Sequence, residues 1–161
     1  MKKHHINKTI IAWIYVVGWM VAIFFLSSQV ASASNSLSLS VTNRIQSLFS
    51  IILPDVNLII SNHDIRKLAH FVVFAVLGFL LANAFIKSNI NVYRSLIYSG
   101  ILIVMYSIGD ELHQRFVPGR GPGLGDVLID IAGGAFGILS FLILLGIFTN
   151  IEKNKLNKKI N

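Results

Sequence analysis

Four apolar stretches, near residues 9–27, 66–86, 93–112 and 125–148, decide what this chain can become. Each is close to the ~20 residues that a helix rising about 1.5 Å per residue needs to cross roughly 30 Å of hydrocarbon. The rest of the composition agrees. Of 161 residues 54% are hydrophobic and only 13% charged, and the mean hydropathy is +0.69, outside what a soluble domain of this length needs. The expectation is an all-α, polytopic membrane protein: residues 1–161 as a single domain built on a four-helix transmembrane bundle.

The first stretch raises a question of processing. Lys2, Lys3 and Lys8 precede it, and Ala31-Ser32-Ala33 resembles a signal-peptidase site. The run from Thr9 to Leu26 is longer than the ~7–15 residues of a signal core, and Trp13 and Trp19 suit a retained span, so retention is favoured over cleavage. Cysteine is absent, which removes disulfides, thiolate metal sites and a cysteine nucleophile.

A net charge of +7 invites a nucleic-acid reading, but the basic residues flank apolar spans and no motif tracks bases or phosphates, so no nucleic-acid partner is expected. Topology explains the surplus better. With the N-terminus in the cytoplasm, Lys2, Lys3, Lys8, Lys87, Arg94, Lys153, Lys155, Lys158 and Lys159 lie inside, nine of the 14 basic residues, with Glu152 the only acid. Arg44, Arg66, Lys67, Arg115 and Arg120 fall on the other side with Asp55, Asp64, Asp110, Glu111, Asp126 and Asp130. By the positive-inside rule both termini are cytoplasmic. Outer loops then cover 28–65 and 113–124, and a basic tail at 149–161 is positioned to meet anionic lipids of the inner leaflet.

The first outer loop divides in two. SSQVASASNSLSLS has the composition of a loop. In VTNRIQSLFSIIL, Val41, Ile45, Leu48, Phe49 and Ile52 recur on one face of a helix. Such a stripe fits an amphipathic helix on the outer leaflet and, equally, a lid packed on the bundle. No internal repeat or long linker interrupts the chain.

Polar residues of the spans gather at one level. The second span begins outside with Asp64, Arg66, Lys67 and His70, the third ends outside with Asp110, Glu111 and Gln114, and the fourth begins there with Asp126 and Asp130. Lys67 and His70 are spaced i, i+3, and Asp110/Gln114 and Asp126/Asp130 are spaced i, i+4, so each pair shares a helix face. Those faces are expected to point into the bundle, because a charge facing lipid costs at least ~2–3 kcal/mol. GGAFG continues that side of the fourth span with the G-x-x-x-G spacing of closely packed helices. Acids at a helix C-terminus need compensation, and Arg115, Arg120, Lys67 or a protonated His70 can supply it. Neighbouring carboxylates in a poorly hydrated site divide into one ionised and one protonated, as acid and base roles require. In PGRGPGLG, glycines alternate around Arg120, a pattern that suits a phosphate or carboxylate at the following helix start. A plain turn with Asp126 as helix cap explains the loop as well.

Four motifs resemble the VanZ-like family: SSQ after the first span, RKLAHF opening the second, DELHQRFVPGR closing the third and DVLIDIAGGAFG in the fourth. The resemblance covers nearly the whole chain. Its most specific part is D-E-x-x-Q-x-F-x-P-G-R followed by D-x-x-x-[ND]-x-x-G. It implies a polar signature of Lys67, His70, Asp110, Glu111, Gln114, Pro118, Gly119, Arg120, Asp126 and Asp130. Val73-Phe74 stands where many relatives carry a polar pair, Asp130 where many carry Asn, and Gly121-Pro122 where more polar residues are common. The resemblance implies a multi-pass protein of a bacterial, Gram-positive cell membrane, and its name-giving member is linked to low-level teicoplanin resistance. It implies no defined reaction.

The candidate site follows. Glu111, His70 and Asp110 are the catalytic candidates; Lys67, Gln114, Arg120, Asp126 and Asp130 the ligand-binding ones; Pro118 and Gly119 shape the loop. Expected partners are membrane lipids and a lipid-linked cell-wall precursor or other anionic amphiphile, with no cofactor. A metal set of His70, His113, Glu111 and Asp126 is weak, because DELHQ lacks the i, i+4 histidine pair of H-E-x-x-H, so no metal is assigned. Three functions compete: an envelope protein affecting glycopeptide access, an acid/base enzyme on an amphiphilic envelope substrate, and a proton-coupled transporter. The last lacks acidic residues in the inner halves of its spans. A purely structural account stands beside them, in which Lys67, Arg115 and Arg120 only neutralise Asp110, Glu111, Asp126 and Asp130.

Overall fold

A computed structural model of the chain describes residues 2–52, 61–121 and 123–160, and they form five helices. These are α1 (Lys2–Ser27), α2 (Ala31–Ile52), α3 (Asn62–Lys87), α4 (Val92–Gln114) and α5 (Leu124–Ile160). Four contain segments long and apolar enough to span a membrane: Lys8–Ser27, Asn62–Lys87, Val92–Gln114 and Leu124–Ile151. The chain is an all-helical, multi-pass membrane protein.

Local chemistry sets the helix ends. At the start of α3, Asp64 N–H donates to Ser61 Oγ at 3.1 Å and Ser61 N–H donates back to the Asp64 carboxylate at 3.3 Å, a reciprocal cap. Asp64 is thereby committed to the helix start. Between α3 and α4, Asn89 takes the left-handed conformation (φ 60°), and Asn91 caps α4 by accepting Arg94 N–H at 2.9 Å.

One expectation is corrected. The serine-rich stretch is helix rather than loop, because α2 starts at Ala31. Its hydroxyls are satisfied within the helix: Ser38, Ser40 and Thr42 donate to the carbonyls of Ser34, Ser36 and Ser38 at 3.0, 3.1 and 2.8 Å. Residues that compete with helix hydrogen bonds in water are thus reconciled with it here. Of the expected apolar stripe, Val41 and Ile45 border the face turned to α3, whereas the side chains of Leu48, Phe49 and Ile52 lie outside the described residues. The described part of the basic tail continues α5 as helix to Ile160.

α3 is the hub. It touches all four other helices, most extensively α5, whereas α2 contacts only α3 among the helices as far as the described residues go. Phe74, Leu77, Leu81 and Ala84 of α3 are buried against Ala12, Val16 and Ile23 of α1, Ile103 of α4, and Ile138 and Phe141 of α5. The α3–α5 contact depends on glycine. A Cβ at Gly133 would strike the Phe71 carbonyl, one at Gly137 the Ala75 carbonyl, and one at Gly78 the Gly134 carbonyl. Backbones can approach this closely only where no side chain intervenes. Large apolar residues such as Phe25, Met105 and Ile143 are exposed, as a lipid-facing surface requires.

Direction follows from pairings. α3 and α5 run parallel, since Phe71 meets Gly133 and Ala75 meets Gly137. α1 and α4 also run parallel to each other, with Tyr106 donating to Met20 O at 2.5 Å and Ser27 to Asp110 at 2.9 Å. α1 lies antiparallel to α3: Thr9 meets Lys87 at 2.7 Å and Trp19 donates to Val73 O at 2.8 Å. The C-terminal ends of α1 and α4 and the N-terminal ends of α3 and α5 therefore converge at one end of the bundle.

Candidate functional site at the polar end of the bundle

The buried acids meet at that convergent end. His70 on α3 lies with Nδ1 3.1 Å from Asp130 Oδ1 on α5, and Asp130 is 0% exposed. Ser107, one helix away on α4, donates to Val127 O at 3.2 Å and approaches Asp130 Oδ2 at 3.4 Å. Three turns' worth of separate helices thus fix a single carboxylate. Asp110 is held differently, its Oδ2 accepting from Ser27 at 2.9 Å and from Gln114 Nε2 at 2.8 Å. That arrangement links α1 to α4 and aligns the Asp110 and Gln114 side chains as their i, i+4 spacing requires.

Glu111, 6% exposed, accepts the Gly123 N–H through Oε1, while its buried Oε2 has no hydrogen-bond partner among the described residues. The Gly-rich loop is thereby tied to the end of α4. Gly119 adopts φ 78°, which a side chain would strain, and Arg120 N–H closes the turn onto Val117 O at 3.1 Å. Pro118 and Gly119 are exposed and shape this turn rather than lining the interior. Asp126 is half-buried beside Gly123, with its Oδ2 3.6 Å from where a glycine Cβ would stand.

Arg120 reaches α2, its Nη2 donating to Ser34 Oγ at 2.9 Å, while its buried Nε and Nη1 have no hydrogen-bond partner among the described residues. Burial, and next the Arg66 guanidinium beside it, hold its pKa below the ordinary arginine value. Both arginines line a cavity of about 150 Å³ with Ser27, Ser34, His70 and the Val73-Phe74 pair. Where a polar pair would widen the hydrophilic surface, Phe74 is fully buried and Val73 closes the apolar wall.

Sequence-selected residues divide accordingly. His70, Asp110, Glu111, Gln114 and Asp130 come together inside; Arg120 and Asp126 border them; Lys67, half-buried one turn before His70, forms no ion pair or hydrogen bond among the described residues. Arg115 is exposed. The ion pair among the described residues is His70–Asp130, so no lysine or arginine there sits within 4.0 Å of an acid as the neutralising account requires. The metal set considered from sequence is also corrected. His113 Nε2 lies 3.0 Å from Ser28 Oγ and its ring packs on Phe24 with centroids 4.5 Å apart, whereas His70, Asp110 and Asp130 bring ligand atoms within 4.8 Å of one another. A divalent ion there would take one imidazole and two carboxylates, and would have to displace the His70–Asp130 hydrogen bond.

Sequence reasoning missed Ser27, Ser34 and Ser107 as partners. A signal existed for the last: Ser95, Ser99, Ile103, Ser107, Asp110, Glu111 and Gln114 are all buried on α4, at steps of three or four with Asp110 and Glu111 side by side. Small polar residues repeating through an apolar span mark its inward face. Ser34 lacked such a signal, because its role depends on Arg120 crossing from another element.

Comparison with known proteins comes down to one positive finding. No curated protein and no solved structure is significantly similar to the chain. The profile of the VanZ/LLP1 family matches residues 12–145, from within the first apolar span to within the fourth, and takes in the polar cluster between them. The chain belongs to the VanZ/LLP1 family.

Proposed function

We propose that this protein works at the outer leaflet of a bacterial cell membrane, where its polar end binds the anionic group of an envelope amphiphile such as a lipid-linked cell-wall precursor. By occupying that component it alters glycopeptide, in particular teicoplanin, susceptibility. The observation that carries the reading is Arg120: a guanidinium oriented by Ser34, bordering a cavity with Arg66, and holding two buried nitrogens without hydrogen-bond partners among the described residues. Unpaired buried donors cost about 1–3 kcal/mol each, a cost offset when an anion accepts from them. Lys67, on the same helix as Arg66, adds positive charge at this end. The positive-inside distribution supports the outer placement. Expression in a teicoplanin-sensitive host tests the reading. Susceptibility should change with the wild type and return toward the host value with Arg120→Gln; unchanged susceptibility together with no precursor binding would reject it for this chain.

A second reading is supported by the His70–Asp130 pair, which orients one imidazole nitrogen, and by Glu111 Oε2, which has no hydrogen-bond partner among the described residues. Here Glu111 or Asp110 is the base, His70 carries the proton and Arg120 holds the substrate's anionic group. Glu111→Gln separates this from a structural role. Loss of turnover on an amphiphilic envelope substrate at full folded yield supports catalysis, whereas yield and activity falling together assigns Glu111 to the fold.

A further inference from the structure

Beside the arginine-lined cavity lies a larger apolar one of about 470 Å³, between α2 and α3, within the ~300–1,000 Å³ usual for small-molecule sites. Leu37, Val41 and Ile45 form its α2 wall, and Leu68, Ala69 and Val72 its α3 wall. The two cavities share Leu37, Ser38 and Ala69 in their linings, so they adjoin. Leu37, Val41, Leu68 and Val72 are each roughly half exposed, so the two helices do not cover each other here. The smaller cavity is bordered by Arg66 and Arg120, whereas the larger is mainly hydrocarbon-like, with Ser38, Ser40 and Arg44 on its α2 side.

We propose that the combined space holds one phosphate-bearing amphiphile, with its phosphate between Arg66 and Arg120 and its hydrocarbon chain in the α2–α3 groove. This rests on the anion-binding reading above and adds the ligand's chemical class and the path of its chain. Phosphate is favoured because two guanidiniums border the space, neither within 4.0 Å of a carboxylate among the described residues, and a guanidinium's planar donor edge suits phosphate oxygens. The chain is assigned by adjacency: a headgroup seated at Arg120 has the shared Leu37–Ala69 boundary beside it and mainly apolar walls beyond. α2 is the wall that completes the groove, and Arg120 fastens it through Ser34.

The test uses the full-length protein in maltoside micelles with a hexadecyl phosphate carrying a photoactivatable diazirine in its chain, and inorganic phosphate as competitor. Crosslinks should map to 37–45 of α2 and 65–72 of α3, and fall at least about tenfold with Arg120→Gln and with Val72→Trp, which fills the groove. Arg120→Lys should retain part of the labelling. Labelling spread over α1, α4 and α5, lost with Arg120→Gln but indifferent to Val72→Trp, overturns the groove while leaving the anion site. Labelling indifferent to Arg120→Gln and to excess inorganic phosphate overturns both. If Arg120→Gln fails to fold, Arg66→Gln supplies the same comparison.

Discussion

Ser27, Gln114 and Asp110 show how little tolerance a carboxylate has at the end of a membrane helix. Asp110 stands near the negative end of the α4 dipole and is stabilised by two donors on one oxygen. Ser27→Ala removes one of them and should lower stability by about 0.5–1.5 kcal/mol, read by unfolding in detergent. Glu111 makes a sharper contrast. Glu111→Gln keeps an oxygen for the Gly123 N–H and should leave folded yield near wild type, whereas Glu111→Ala strands that N–H and should cost about 1–3 kcal/mol. Equal losses in the two variants would show that the negative charge, not the acceptor, holds the loop.

Helix packing explains where sequence reading succeeded and where it stopped. The apolar spans and the G-x-x-x-G side of α5 were legible because their signals are local: length, hydropathy and spacing. Gly137→Val should break the α3–α5 contact, costing about 1–3 kcal/mol or more and lowering folded yield, because its side chain would meet the Ala75 carbonyl. Gly100→Ala, with nothing within 4 Å of its would-be Cβ, should be neutral or slightly stabilising in the same assay. Candidate residues on single helices were legible for the same reason, as His70, Asp110, Glu111 and Asp130 show. Their partners were not, because Ser27–Asp110 and Arg120–Ser34 join elements more than 80 residues apart and no local pattern encodes such a pairing. The serine-rich first half of α2 was misread because composition assigned it to a loop, while hydroxyls bonding back four residues let a helix form; the helix from Val41 on was legible from its apolar spacing.

For the molecule as a whole, the absence of cysteine makes topology directly measurable. Asn35→Cys, exposed on α2, should react with a membrane-impermeant maleimide on intact cells, and Lys153→Cys only after permeabilisation. The reverse pattern would place the polar end in the cytoplasm and remove the envelope reading. The hub position of α3 also governs when the protein becomes complete. His70 leaves the ribosome 60 residues ahead of Asp130, and the glycine-bearing face that α3 packs against belongs to α5, made after α3 and α4. Until that span inserts, the imidazole and the surface around Phe71 and Ala75 are left without their counterparts, although a nascent chain stopped before Leu124 already carries the residues that line the arginine-bordered cavity. Synthesis order therefore sets the order of assembly: α3 is locked in place, and His70 paired, only after α5 has followed it into the bundle.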